Sequence, residues 1–235
     1  MNRSFYMILL ISFISFDCSN NKDGRGDSLK INDIDPDAVW FDYQVGGEEG
    51  NDSVTIKLQF RYNGETGETI ALDGSARVTL DGELIKPENS KMTGAYYELR
   101  RPVATFTGKH TIVFTGIDGR KFKEEFMFRP LSLASTIPDT IQRADIIFQW
   151  NGLNDMDYVR ILMTDTVFTS DGIDRLDTVR NGQLIITAAD LAQLANGPVH
   201  MELIREDIRE VENGTFEGGR IAITYGLKRE FILED

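Results

Sequence analysis

Two antiparallel β-sandwiches in tandem, the second with one short crossover helix, form the all-β fold that this chain predicts. Three observations lead there: period-two hydrophobic alternation, Asp-Gly turn signals between short apolar runs, and an interruption near the middle after which the pattern restarts.

The clearest alternation runs from Ser53 to Asn63, where Val54, Ile56, Leu58, Phe60 and Tyr62 alternate with polar neighbours. One apolar and one polar face describe a half-buried antiparallel strand. Further strands are expected at Ala38–Val45, Thr69–Leu72, Ala76–Leu80, Glu83–Ile85, Ala95–Arg100, Lys109–Thr115 and Arg120–Phe128. Asp73-Gly74, Asp81-Gly82 and Asp118-Gly119 lie between them, and Asp-Gly favours the positive φ angles of tight hairpins.

Pro130 and the run Leu131 to Pro138 interrupt the pattern, and it resumes with Asp145–Trp150, Asp157–Thr164, Leu184–Thr187, Val199–Glu206, Gly219–Tyr225 and Lys228–Leu233. Between the third and fourth of these, Thr187 with Asp190 predicts a capped helix start, Leu191 and Leu194 its buried stripe, and Asn196-Gly197 its stop. Strands of this number and spacing, with one helical crossover, indicate sandwiches of the immunoglobulin-like kind. The expected divisions are a leader over 1–17, a tether over 18–36, one sandwich over 37–130, a linker over 131–138 and a second sandwich over 139–235. Gly108 and Gly197 each open a strand followed by a turn and a last strand, so the halves read as distant repeats of one plan.

Composition narrows the function classes. The 38 acidic and 25 basic residues give a formal net charge of −13, which repels phosphate backbones and makes nucleic acid a poor partner. The single cysteine, Cys18, allows no intrachain disulfide, so stability must come from packed sheets.

The first residues, Met1-Asn2-Arg3 followed by the apolar run Ser4 to Phe16, form a secretory signal too short to span a bilayer. Cys18 closes that run and a polar stretch from Ser19 to Ser28 follows. Through Ser15-Phe16-Asp17-Cys18 the leader resembles that of signal-peptidase-II lipoproteins, with Ser15 and Asp17 where that family carries an aliphatic and a small residue. The resemblance implies cleavage before Cys18, a lipid anchor on its thiol, and membrane attachment in a Gram-negative envelope. Ser19 in place of Asp after the cysteine implies delivery to the outer membrane.

Candidate site residues are few. By strand alternation His110 shares a face with Ile112 and Phe114, while His200 points away from Val199, Met201 and Leu203; neither has a second ligand near it in sequence. Asp171, Asp174 and Asp177 resemble a calcium loop in their spacing around Gly172, with Arg175 inside the would-be cage. Trp40 and Trp150 sit on apolar faces and read as core. Tyr96 and Tyr97 fall on opposite faces of one strand, so one ring is left outside as the candidate ligand contact. Arg25-Gly26-Asp27 stands in the tether without a framing hairpin, and Asn213-Gly214-Thr215 reads as a hairpin tip.

No cofactor is implied. The leading expectation is a non-catalytic exported lipoprotein that binds a glycan or a protein, or serves as a scaffold, at the cell envelope. A hydrolase using paired carboxylates or calcium across Asn151–Asp157 and Asp171–Asp177 is the second. A structural envelope or pilus component that donates or accepts a strand is the third.

Overall fold

A computed structural model describes residues 28–235. The leader, Cys18 and the Arg-Gly-Asp triplet lie outside the described residues.

The first half contains β1 (Leu29–Lys30), β2 (Val39–Glu48), β3 (Ser53–Tyr62), β4 (Ile70–Ala71), β5 (Arg77–Leu80), β6 (Glu83–Leu84), β7 (Pro87–Ser90), β8 (Gly94–Pro102), helix α1 (Val103–Phe106), β9 (Gly108–Thr115) and β10 (Lys121–Phe128). One sheet has the order β2-β3-β8-β7 and faces a second of order β10-β9-β5-β6. That is the immunoglobulin arrangement, with first, second, fifth and fourth strands in one layer and the remainder in the other. Alternation in β3 is realised as expected, since Val54, Ile56, Leu58 and Phe60 are all fully buried. Aromatic rings fill the space between the layers: Phe41 lies 5.1 Å and Phe60 4.8 Å from Phe114, centroid to centroid.

The second half contains β11 (Ser132–Leu133), β12 (Thr140–Gln142), β13 (Ile146–Asn151), β14 (Tyr158–Asp165), β15 (Ile173–Thr178), β16 (Gln183–Ile186), helix α2 (Ala188–Leu191), β17 (Gly197–Glu210) and β18 (Gly219–Glu234). The sheet β11-β13-β16 packs on the layer β15-β14-β17-β18, to which β12 adds in parallel through β18. This too is an immunoglobulin-like order. Helix α2 forms where the sequence places it. Thr187 accepts from the Asp190 N–H and Asp190 accepts from the Thr187 N–H, a reciprocal capping box, while Leu191 and Leu194 are buried.

Strands β17 and β18 depart from the expectation. They form a long hairpin, 14 and 16 residues a side, paired from Gly197↔Leu233 to Glu210↔Arg220. The two strands expected at Gly219–Tyr225 and Lys228–Leu233 are therefore one. Its first part pairs in parallel with β2 of the other half, Gly219↔Phe41 through Gly226↔Glu48, so a single nine-stranded sheet runs through both halves. Inward-facing residues of β18 run through one continuous core: Ile221 and Ile223 lie alongside β2, whereas Leu227, Phe231 and Leu233 lie in the second half. Tyr225 stands between, edge-on to Phe128 at 6.0 Å.

The hairpin also covers β10, which otherwise ends the opposite sheet. Arg209 donates to the Glu125 carbonyl (2.9 Å) and Asn213 to the Lys123 carbonyl (2.9 Å). Glu124 is 1% exposed; it accepts the Glu212 N–H at 2.7 Å and pairs with Arg209 at 2.5 Å. Pairing one exposed edge and capping another suppresses association through unsatisfied backbone groups. Asn213-Gly214-Thr215 does lie in the hairpin connection, and that connection is docked, because Thr215 donates to the Val39 carbonyl.

Two expected boundaries move for the same physical reason, burial of apolar residues. Within the stretch read as tether, β1 pairs with β4 and Ile31 is 1% exposed, so the body begins by Leu29. Within the stretch read as linker, β11 pairs with β13 and Leu131 is buried.

Candidate functional site

The outer face of the nine-stranded sheet carries a candidate site. Where β18 meets β2, side chains facing solvent become small. Ala222 stands beside Gln44, and Thr224 beside Gly46; across the next strand Gln44 faces Lys57 and Gly46 faces Thr55, and beyond that Lys57 faces Glu98 and Thr55 faces Arg100. Two adjoining depressions result. One of about 290 Å³ is lined by Gln44, Gly46, Thr55, Lys57, Ala222 and Thr224. The other, about 420 Å³, shares Gly46, Thr55 and Thr224 and adds Glu48, Asn51, Ser53 and Arg100. Together they make a shallow trough, largely apolar beside Ala222 and Val45 and polar towards Glu48, Asn51 and Arg100, whose floor is shared by β2, β3 and β18.

Charges around this trough are balanced and engaged. Lys228 pairs with Glu48 at 3.1 Å and Arg100 with Glu98 at 3.2 Å. A hydrogen bond to Glu48 raises the Lys228 ammonium above the usual lysine range. Amide, hydroxyl and guanidinium groups here suit recognition of a polar ligand by hydrogen bonding. Strand register makes the site, so sequence reading missed it: Gly46, Thr55 and Thr224 become neighbours only when β18 joins β2.

Of the two tyrosines, the structure keeps one outside. Tyr96 lies on the outer face at the border of the trough, donating to Glu88 at 2.8 Å, with the Lys57 ammonium 5.1 Å from its ring centre. Tyr97 is 2% exposed and is corrected from a ligand contact to a core residue. Its ring meets Phe60 edge-on at 5.5 Å, its hydroxyl accepts the Leu72 N–H at 2.7 Å, and burial pushes its hydroxyl up to about 12.

Asp171, Asp174 and Asp177 do not converge, which corrects the calcium-loop reading. Residues 173–178 are strand β15, and strand residues three apart point to opposite faces. Asp174 pairs with Arg160 at 2.8 Å, Asp177 with Arg175 at 3.3 Å, and Asp171 is exposed. Among the described residues no group of three or more His, Cys, Asp or Glu side chains is placed to hold a metal ion. In the other loop named for a hydrolase, Asp157 faces Arg129 at 3.3 Å.

His110 points inward as expected and acts as a clasp. Its Nδ1 meets Asp81 at 2.7 Å, its Nε2 meets the Phe106 carbonyl at 2.7 Å, and its ring stacks on Phe106 at 3.8 Å. It thus ties the β5–β6 turn to the end of α1. His200 faces outward, 3.5 Å from Glu230.

No family model matches the chain, and no curated protein matches it in sequence. Among solved structures it is similar to DIP-gamma IG1+IG2, at 9% identity over 83% of this chain and 95% of that one, with a TM-score of 0.24. It is also similar to a tetra-tandem repeat in the extending region of a large adhesion protein, at 16% identity over 84% of this chain and 50% of that one, TM-score 0.27. Yersinia pseudotuberculosis adhesin InvE gives 14% identity over 79% and 58%, TM-score 0.20. Strand order within each half, not these overlays, carries the fold assignment.

Proposed function

We propose that this chain is an exported, lipid-anchored binding module of the bacterial cell envelope, without catalytic activity, that takes a polar ligand of the glycan class in the trough between β18 and β2. The observation that carries this reading is the trough itself, a floor of small residues on a sheet face with Gln44, Asn51, Ser53, Thr55 and Arg100 around it, next to the half-buried Tyr96 ring. A protein interface centres on buried aromatic anchors, and the residues lining this trough include none. Anchorage rests on the leader and Cys18, and delivery to the outer membrane rests on Ser19.

A second reading, capture of a protein partner, is favoured by a different place. Ile147 and Ile185 are cross-strand neighbours, 52% and 43% exposed, beside a groove of about 370 Å³ lined by Ile137, Pro138, Ile141 and Phe148. Strand exchange is disfavoured at two of the sheet edges. The β16 edge is tied by Arg175 to the Ile185 carbonyl and by Arg180 to Gln183, and the β10 edge is capped by the hairpin.

A glycan array probed with the chain from Ser19 onward tests the ligand class. Binding that Ala222→Arg and Tyr96→Ala both abolish, with unchanged circular dichroism, is the expected result; binding that survives Ala222→Arg would move the site elsewhere. Address is tested separately: radiolabelled palmitate should enter the wild type and not Cys18→Ala, and protease treatment of intact cells should report which side of the membrane the body occupies.

A further inference from the structure

Strand edges are where one chain most readily adds to another, and among the described residues all but one are short or covered. Strands β1, β4, β6 and β11 are two residues long, β12 is three, and β7 is four residues that begin at Pro87. The β10 edge is capped by the hairpin, and the β16 edge is tied by Arg175 and Arg180. Strand β15 closes the nine-stranded sheet with six residues and an uncovered side.

The side to which each residue of β15 turns its backbone follows from the pairing. Val179 donates its N–H to the Asp157 carbonyl at 3.0 Å, so Asp177, Arg175 and Ile173 also bond to β14, while Thr178, Leu176 and Asp174 turn their backbone groups outward. Leu176, at the middle of this edge, is 49% exposed. On the opposite sheet face Arg175 is held by Asp190 at 2.6 Å and by the Ile185 carbonyl at 3.0 Å, with Asp177 3.3 Å away. A depression of about 430 Å³ beside Asp177, lined by Thr178, Arg180, Asn181 and Gln183, leaves the inward side of the edge open. Val167 and Phe168, in the loop that leads into β15, are exposed as well.

We propose that β15 pairs antiparallel with β15 of a second copy of this chain about a dyad at Leu176, so that the sheet runs on through a homodimer. The charges select this register. A dyad at Asp174, Arg175 or Asp177 sets like charges directly opposite each other, which is destabilising, and one at Thr178 carries the pairing off the strand into the turn at 180–182. With the dyad at Leu176, Leu176 faces its own mate, Arg175 faces Asp177 and Asp174 faces Thr178, the last two pairs each formed twice. Leu176 exchanges both backbone bonds with its mate. The Thr178 N–H, held by the Asp177 carboxylate at 2.8 Å in the single chain, passes to the Asp174 carbonyl of the second copy. Such a dyad stands perpendicular to the sheet, so both outer faces look the same way, troughs included; the pairing does not depend on what the troughs bind.

In the chain from Ser19 onward, which has no cysteine, sedimentation equilibrium between about 10 µM and 1 mM should show a reversible monomer–dimer step, weak because one strand pair is a small contact. Leu176→Lys, a change at an exposed position, should leave the chain monomeric over that range. Register is read by cross-linking. Residues that exchange both backbone bonds lie about 5.5 Å apart between Cα atoms, within reach of a disulfide. Leu176→Cys should therefore form a disulfide-linked dimer on mild oxidation, whereas Thr178→Cys should do so only when mixed with Asp174→Cys. Monomers at every concentration, dimers that persist in Leu176→Lys, no cross-link through Leu176→Cys, or Thr178→Cys cross-linking with itself would each overturn the proposal.

Discussion

Replacing Tyr97 by Phe keeps the ring against Phe60 but strands the Leu72 N–H without its acceptor in a buried place. A loss of about 1–3 kcal/mol is expected in urea unfolding, the usual penalty for a buried donor left unsatisfied. Tyr96→Phe removes only an exposed bond to Glu88 and should leave the urea midpoint unchanged. Asp165 yields a pH prediction. Its carboxylate accepts the Ala195 and Val167 N–H groups, both at 2.8 Å, and these bonds hold it below the usual carboxylate range. A carboxyl with a depressed folded-state value contributes stability above its unfolded value, and that contribution is lost as pH falls through the folded value. Wild-type stability should therefore decline below about pH 4, and Asp165→Asn should show a shallower decline in acid-unfolding curves.

The two crossovers show what kind of element a sequence discloses. Helix α2 has a side-chain signal at each end, and the Thr187–Asp190 pair made it legible. Arg143 completes it by donating to the Leu194 carbonyl at 2.9 Å and the Asn196 side chain at 2.6 Å. Thr187→Ala should cost about 1 kcal/mol, measured by chemical denaturation. Helix α1 has Pro102 at its N-cap with no capping side chain, and its end is held by His110 from the next strand, so nothing local announced it. Alternation likewise found β3, β14 and the inward faces of β9 and β17, because one face of each is buried. It could not find that β17 and β18 run on past their own sandwich, since pairing with β2 is a partnership between residues some 180 positions apart. The charged β15 read as a loop for a related reason: as an edge strand it buries little. Gly219 shows how tight the added pairing is. At φ +155° it brings β18 so close to β2 that a Cβ would lie 2.4 Å from the Phe41 carbonyl oxygen. Gly219→Ala should destabilise by about 1–3 kcal/mol in the same assay, through that contact and its backbone strain.

At the scale of the molecule, a shared strand makes the halves thermodynamically one. The tryptophans divide conveniently, Trp40 in β2 and Trp150 in β13. Single-tryptophan variants made by Trp40→Phe and Trp150→Phe should give coincident fluorescence transitions in urea, where independent domains would give two. The first half alone, residues 28–130, should aggregate rather than fold, because β2 and β10 would both be left with uncovered edges.

Parallel pairing of β2 with β18 has a mechanical consequence as well. The chain enters β2 at Val39 and leaves β18 towards Asp235, so tension applied between the two ends slides these strands lengthwise past each other. The hydrogen bonds from Phe41 to Glu48 then bear the load in shear, all together, instead of being peeled open one after another from an end. A body of this design transmits force from one extremity to the other while keeping the seam, and the trough upon it, intact.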